Sequence, residues 1–149
     1  MTTFAYNQKA TFNYEILEIY EAGIVLFGFE VKAIKTGRMS LAGTFIIIRD
    51  GELYLTNAYI PPYQPKNTPP DYDPNRSRKL LMRKAEIASL IGKIKQKGLT
   101  LVPIKVYTKR GKLKLEFALA KGKKKFDKRN KIIERETKRK IDRAIREKY

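Results

Sequence analysis

The strongest constraint on the fold of this chain is an Asp-Gly pair between two β-rich runs. The runs TFIIIR at 44–49 and ELYLTN at 52–57 flank Asp50 and Gly51. Both central positions of a two-residue hairpin turn need positive φ, which Asp and Gly tolerate better than most residues. The sequence therefore predicts a β-hairpin at 44–57, and an antiparallel sheet to contain it.

Four other segments are predicted to be strands, and the last of them alternates apolar and polar side chains with the period of two that is typical of strands. In chain order they are 14–20, 24–27, 100–107 and 112–120, with a break or bulge expected at 21–23. In the last segment the inward positions are predicted to be Leu113, Leu115, Phe117 and Leu119, and the outward ones Lys112, Lys114, Glu116 and Ala118. The segment 78–82 fits either a strand or the beginning of a helix.

Two segments have helical spacing, and one region excludes regular structure. A short helix is predicted over 29–36, before Gly37, and a longer one carries an apolar stripe over 87–94 and ends at Gly98. Residues 61–75 hold six of the seven prolines and predict a long, stiff surface loop. Five or six antiparallel strands with these helices predict a mainly β fold, a small antiparallel OB-like β-barrel that is closed or partly open.

Charge divides the chain unevenly. The 149 residues carry a net +18, but residues 1–75 hold 6 basic and 8 acidic side chains while residues 76–149 hold 27 and 7. An excess of one sign on that scale indicates a polyanionic partner, and phosphate neutralisation explains it better than solubility does. Most of the candidate phosphate ligands lie in four runs: Arg76/Arg78/Lys79, Lys93/Lys95/Lys97, Lys109/Arg110/Lys112/Lys114 and Lys121/Lys123/Lys124/Lys125.

Aromatic residues supply the second element of RNA recognition, because they can stack under unpaired bases. The chain has nine Tyr and seven Phe. Tyr63 and Tyr72 in the Pro-rich loop are candidates for such stacking, whereas Phe45 and Phe117 are predicted to lie in the core.

The C-terminal segment differs from the rest, and we expect a domain boundary near residue 125. Residues 121–149 hold 14 basic and 5 acidic side chains, and Ile133, Thr137 and Ile141 recur at helical spacing. Isolated helices of this kind are marginal in water. We therefore predict an RNA-binding barrel over 1–125 and a basic tail over 126–149 that is disordered when free and helical on a partner.

The residue types that are missing exclude most catalytic chemistry. The chain has no Cys and no His, which removes thiolate nucleophiles, His-based acid–base catalysis and the usual zinc ligands. Asp71 and Asp73 could bind a divalent ion or form an acid–base pair, as in a carboxylate-dependent nuclease, but Asp73 before Pro74 is typical of a turn. We expect no enzyme, no metal and no cofactor. With no long apolar run and no signal peptide, we expect a cytoplasmic monomer.

Six motifs in order resemble the SsrA-binding protein (small protein B) family. They are NQKA at 7–10, EAGIVL at 21–26, GFEVK at 28–32, DPNRSRKLL at 73–81, KGLTLVP at 97–103 and AKGKKKFDKR at 120–129. The resemblance runs from about residue 6 to residue 129. Beyond it, the chain shares only a basic, helical character with the family. Some relatives have His where this chain has Phe12 and Phe126, and an aromatic ring at 126 can still stack.

The resemblance implies an adaptor that binds the tRNA-like domain of transfer-messenger RNA and brings it to stalled ribosomes for trans-translation. The RNA would be charged by alanyl-tRNA synthetase and delivered by elongation factor Tu with GTP. The barrel would replace the missing anticodon arm, and the tail would become a helix in the empty mRNA channel beside the decoding centre. A general ribosomal-RNA-binding OB protein is the alternative.

The resemblance also implies residue roles. The face holding the elbow of the RNA would include Asn7, Lys9, Glu21, Gly23 and Lys32. Further RNA contacts would be Arg76, Arg78, Lys79, Leu81, Lys121, Lys123 and Lys124. The tail positions that act on the ribosome would be Phe126, Asp127, Lys128 and Arg129, with Ile133 and Ile141 on the helical stripe.

Overall fold

A computed structural model of the chain describes residues 2–123, apart from the side chain of residue 97. This part contains seven strands, three α-helices and one 3₁₀ turn. In chain order they are β1 (Thr3–Tyr6), α1 (Ala10–Asn13), β2 (Tyr14–Ile24), α2 (Gly28–Lys35), β3 (Phe45–Arg49), β4 (Glu52–Thr56), the turn Pro65–Asn67, β5 (Arg78–Leu81), α3 (Lys84–Lys97), β6 (Thr100–Lys109) and β7 (Lys112–Gly122). Among the described residues no helix is both long and apolar enough to cross a membrane.

The strands form one antiparallel sheet in the order β1-β6-β7-β2-β5-β4-β3. Strand β3, at one end of this order, approaches β6 near the other end without pairing with it. The sheet therefore curls into a partly open barrel with one unpaired seam. The predicted mainly β, antiparallel, OB-like fold is confirmed, in its partly open form.

The predicted hairpin is present with the expected turn. Strands β3 and β4 pair from Phe45 opposite Thr56 to Arg49 opposite Glu52. Asp50 has φ 52° and Gly51 has φ 73°, the left-handed values that a two-residue turn of this kind requires.

Strand β2 is longer than predicted, because the expected break at 21–23 does not occur. Glu21 lies opposite Glu116 of β7, and Gly23 lies opposite both Lys114 of β7 and Leu81 of β5. The irregularity in β2 falls earlier, between Ile16 and Glu18. Strand β1 and helix α1, each of four residues, are additions to the prediction.

The core lies on both faces of β7, which corrects the prediction of a solvent-facing row. Leu115, Phe117 and Leu119 are buried as expected, but Ala118 is also fully buried. It belongs to a second small cluster with Ala10, Val102, Ile104 and Ala120, beneath α1. The prediction for Phe45 is likewise wrong: its side chain is 48% exposed, at the first position of the edge strand β3.

Each of the two predicted helices is followed by the glycine that was expected to end it. Helix α2 is followed by Gly37 with φ 79°, and α3 is capped by Gly98 in the left-handed conformation. Ile87 and Leu90 of α3 are buried, as their spacing predicts. The segment at 78–82 is a strand. The Pro-rich segment is a loop that contains the 3₁₀ turn, and its ends are joined where the Ile60 N–H donates to the Pro74 carbonyl at 3.0 Å.

Candidate nucleic-acid interface

Strand β5 contains most of the basic run at 76–81, and its side chains point alternately into the barrel and out of it. Alternation places Arg78 and Leu80 in the interior, both completely buried, and Lys79 and Leu81 on the outer surface. Leu81 is 53% exposed. The expectation that Arg78 contacts RNA directly is therefore corrected, because its guanidinium has no accessible surface.

Glu30 of α2 is the partner of that buried cation. Its Oε2 accepts from Arg78 Nε at 2.7 Å, and its carboxylate is also completely buried. Arg78 further donates to the carbonyls of Ala58 (2.8 Å), Arg76 (3.1 Å) and Pro74 (3.0 Å). A buried ion pair is tolerated when its remaining hydrogen-bonding groups are satisfied, and these carbonyls do so.

Arg76 and Tyr72 complete this buried ion cluster, which we define as Glu30, Tyr72, Arg76 and Arg78. Arg76 binds both carboxylate oxygens, at 2.5 Å through Nη2 and 3.2 Å through Nε. The Tyr72 hydroxyl lies 2.9 Å from Glu30 Oε2 and 2.8 Å from the Ile60 carbonyl, and accepts from Arg78 Nη2 at 3.0 Å. The cluster ties the Pro-rich loop and β5 to α2.

The electrostatics of the cluster keep it charged. Burial raises the pKa of Glu30, but the hydrogen bonds from Arg76 and the Phe27 N–H and the charge of Arg78 outweigh that effect, so its pKa is lowered overall. Burial, followed by the hydrogen bond with Glu30, raises the pKa of Tyr72 to about 12. The carboxylate is therefore ionised and the phenol neutral at physiological pH.

The same cluster leaves part of Arg76 on the surface, over an aromatic ring. Its side chain is 25% exposed, and the guanidinium carbon lies 4.2 Å from the centre of the Phe27 ring. Phe27 is 51% exposed and stacks in turn on Phe29. Arg76 thus presents a partly free cation whose position is set by Glu30 on one side and Phe27 on the other.

Glu21, Gly23 and Leu81 are brought together on the outer surface where β2 meets β5. Gly23 lies directly opposite Leu81, and a Cβ added to it would lie 3.3 Å from the Leu81 Cβ. The Glu21 carboxylate accepts from the Tyr107 hydroxyl and lies 3.5 Å from Lys109 Nζ. The hydrogen bond from Tyr107, aided by the charge of Lys109, lowers the pKa of Glu21 against a smaller opposing effect of burial.

Asn7 and Lys9 do not join that surface. The Asn7 side chain donates to the Pro103 carbonyl at 2.9 Å, at the beginning of β6, whereas Glu21 contacts Tyr107 and Lys109 at its end. Four to six residues of strand separate these contacts, or roughly 13–20 Å. The predicted RNA-binding residues thus form at least two separate surfaces.

Known proteins resemble this chain over most of its length. The sequence model described as "SmpB protein" matches residues 4–147. The chain belongs to the SmpB family. It is 51% identical over 142 residues to an SsrA-binding protein of Sulfurihydrogenibium sp., covering 95% of this chain and 93% of the relative. The SsrA-binding protein of Thermosynechococcus vestitus is 49% identical over 141 residues, covering 95% and 93%.

A solved structure also matches this SmpB-family chain. It is described as "tmRNA-SmpB: a journey to the center of the bacterial ribosome", and its matching chain is 51% identical with a TM-score of 0.64. The match covers 80% of this chain and 84% of that one. The resemblance inferred from six motifs is thereby confirmed at the level of the family and the fold.

The remaining predicted residues of this SmpB-family chain are dispersed. Lys32 is exposed on α2 and lines a cavity of about 260 Å³ with the Pro-rich loop. Lys121 is exposed opposite Glu15, and Lys123 donates to the Thr11 carbonyl at 2.9 Å. Outside the described residues lie Lys124, Phe126, Asp127, Lys128, Arg129, Ile133 and Ile141.

The sequence analysis missed Glu30 and misassigned Tyr72, whereas its interpretation of Asp73 as a turn residue agrees with the structure. Tyr72 is an internal anchor of the buried ion cluster and not a free stacking surface. Asp73 accepts from the Asn75 N–H at 2.9 Å, the turn contact that its position before Pro74 predicts. Among residues 2–123 no three acidic side chains are grouped as a metal site. One local signal could have identified Glu30, namely its position three residues after the helix cap, from which it accepts the Phe27 N–H at 2.8 Å.

Proposed function

We propose that this chain binds the tRNA-like domain of transfer-messenger RNA and brings it to stalled ribosomes for trans-translation. The observation that carries the proposal is the 51% identity and TM-score of 0.64 to the chain of the tmRNA–SmpB structure. The named relatives, SsrA-binding proteins at 49–51% identity over nearly the whole chain, support it. The charge of +18 is the electrostatic counterpart that an RNA phosphate backbone requires.

On the barrel, the surface of Glu21, Gly23, Lys79, Leu81 and Arg76 is the proposed site for the folded RNA. It combines an exposed apolar side chain, a partly exposed arginine over an aromatic ring, and a carboxylate held ionised by its neighbours. Such a set can stack on an unpaired base, pair with phosphate and accept from a nucleotide hydroxyl or amine. We assign this surface to positioning RNA, with no chemical step.

The tail residues 126–149 are proposed to act on the ribosome, as a helix in the empty mRNA channel. Alanyl-tRNA synthetase and elongation factor Tu with GTP are proposed as indirect partners, through the RNA. We propose an adaptor and not an enzyme: the chain contains no Cys or His, and Asp73 is engaged in a turn contact.

Two measurements test the proposal. The full chain should bind the tRNA-like domain with an affinity that falls steeply with salt, with a log–log slope of several units if about six to ten phosphates are engaged. A chain truncated after Lys125 should keep that affinity and lose tagging of stalled nascent chains in a reconstituted translation system. Equal loss of binding and tagging would overturn the division between barrel and tail.

The rival function, general binding of ribosomal RNA, is tested in the same format. A ribosomal RNA fragment of matched length serves as the competitor at one fixed salt concentration. We expect the tRNA-like domain to win this competition clearly, and comparable affinities would favour the general RNA-binding protein instead.

A further inference from the structure

The unpaired seam of the barrel opens into a cleft of about 630 Å³. One wall is formed by residues 6–9 and 100–103, and the other by the segment 39–45 that leads into β3. Ligand sites in proteins typically occupy about 300–1,000 Å³, so the cleft has room for a nucleotide. It is not part of the surface around Glu21, Gly23 and Leu81.

Each wall of the cleft contributes an exposed aromatic ring. Tyr6 at the end of β1 is 52% exposed, and Phe45 at the beginning of β3 is 48% exposed. Phenylalanine is ordinarily buried, and this ring is exposed because it lies at the first position of an edge strand, beside the cleft. Exposed rings beside a cleft provide stacking surfaces for a planar ligand.

One polar group of the cleft, the Ser40 hydroxyl, is placed to hydrogen-bond such a ligand. Thr44 also lines the cleft, and the Thr44 hydroxyl is the one buried side-chain polar atom among the described residues that has no hydrogen-bond partner. This hydroxyl has almost no exposed surface, so a ligand in the cleft would reach it only after a local shift of the lining residues. The neighbouring Ser40 Oγ accepts from the Ala42 N–H at 3.2 Å, which leaves its own hydrogen free to donate.

One wall of the cleft is held by hydrogen bonds and carries a cation. Asn7 holds it in place through its bond to the Pro103 carbonyl and its own N–H to the Ile104 carbonyl at 2.7 Å. Lys9 is exposed, lines the cleft and makes no ion pair with any residue of 2–123. A planar stacking surface, a hydrogen-bonding hydroxyl and a free ammonium together fit a base and its phosphate.

We propose that the seam cleft binds one unpaired nucleobase of an RNA, stacked on Phe45 or Tyr6, with Lys9 on the adjacent phosphate. The inference rests on the proposed function in requiring an RNA partner, and it adds a second contact roughly 13–20 Å along β6 from the surface around Glu21. The unpaired base can come from the tRNA-like domain or from ribosomal RNA, and the two sources are separated by the test.

The experiment uses the full chain and the Phe45→Ala variant, with Kd measured against the isolated tRNA-like domain and against small ribosomal subunits. Phe45 is exposed, so the variant should fold. Loss of one base stack is expected to weaken binding to one of the two RNAs by roughly 5- to 150-fold. The RNA whose Kd increases in the variant, either the tRNA-like domain or the RNA of the ribosomal subunit, is the source of the base. Phe45→Tyr should retain the affinity, and Ile48→Ala, an exposed apolar residue of the same strand outside the cleft, should have no effect.

A second readout locates the base. RNA carrying 5-iodouridine at unpaired positions should photo-crosslink to peptides that contain Tyr6 or Phe45. Unchanged affinity of Phe45→Ala and Tyr6→Ala in both arms, while the parent chain binds, would overturn the cleft assignment and leave the proposed function intact. A parent chain that binds neither RNA would instead overturn the proposed function. Saturation of the cleft by adenosine monophosphate, with no effect of the variants on either RNA, would assign it to a free nucleotide and also refute the proposal.

Discussion

Replacing Glu30 with Gln should destabilise the barrel strongly, because it removes the charge that the buried ion cluster is built around. The carboxylate accepts from Arg76 at 2.5 Å and from Arg78 at 2.7 Å, and Arg78 has no exposed surface. Gln has almost the same shape but leaves the Arg78 charge buried without a counter-ion. Breaking a buried pair in this way costs about 3–5 kcal/mol.

That loss is a large part of the 5–15 kcal/mol that typically separates folded from unfolded states. With a urea m-value of roughly 2 kcal/mol/M, the midpoint of unfolding should fall by about 2 M. The matched control is Glu52→Gln, which neutralises a partly exposed carboxylate 3.9 Å from Lys79 Nζ and should cost less than about 1 kcal/mol. If the two variants unfold at the same urea concentration, the structural reasoning about Glu30 is wrong.

The pH dependence gives an independent measurement of the same interaction. Because the pKa of Glu30 is lowered in the folded state, its stabilisation is present above the unfolded pKa near 4.5 and is lost as pH falls through the folded pKa. The parent chain should therefore lose more stability between pH 6 and pH 3 than Glu30→Gln does. If the variant does not fold, Tyr72→Phe removes one hydroxyl from the same cluster and should cost about 1 kcal/mol. A fully stable Tyr72→Phe would then count against the reasoning.

Two further substitutions test glycine positions. Gly51→Ala places a Cβ at φ 73° and should lower the free energy of unfolding, measured in urea, by roughly 1–2 kcal/mol. Gly92→Ala lies in the interior of α3 with open space around it, and should raise the free energy of unfolding by up to about 1 kcal/mol. If both variants change stability in the same direction, the backbone argument is wrong. Gly23→Ala should push on Leu81 and weaken binding of the tRNA-like domain by about threefold to tenfold, or about 0.6–1.4 kcal/mol, and an unchanged Kd would separate Leu81 from RNA binding.

Local features of the fold were predictable because their causes are local. The turn at Asp50 and Gly51 and the helix end at Gly98 follow from the φ values those residues tolerate. Helix α1 has too few residues to show a period, and it is held by contacts with β2 and β6. Its presence is also why Ala118 is buried on what the alternation of β7 identifies as the outer face.

The candidate site was less predictable, since its pairing is non-local. Arg78 was assigned to RNA because it lies in a run of cations, although the alternation of β5 groups it with Leu80 on the inner side. Its partner Glu30 lies 48 positions earlier, and nothing in the spacing connects them. Phe45 was placed in the core by residue type, while its position at a sheet edge decides its exposure.

Strand β5 is a narrow junction between two halves of the sheet. It meets β2 at Gly23 and Ile24, and β4 at Tyr54 and Leu55, and no other described strand joins the two halves by pairing. Separation there would release the β3–β4 hairpin while β6, β7 and β2 stayed paired, so we expect amide hydrogen exchange in the hairpin to be faster than in those strands. A ligand that binds the outer face of β5 and contacts both neighbouring strands would couple the two halves and slow amide exchange in the hairpin. With a ligand bound at this strand, the two halves of the barrel would then unfold together, as one cooperative unit.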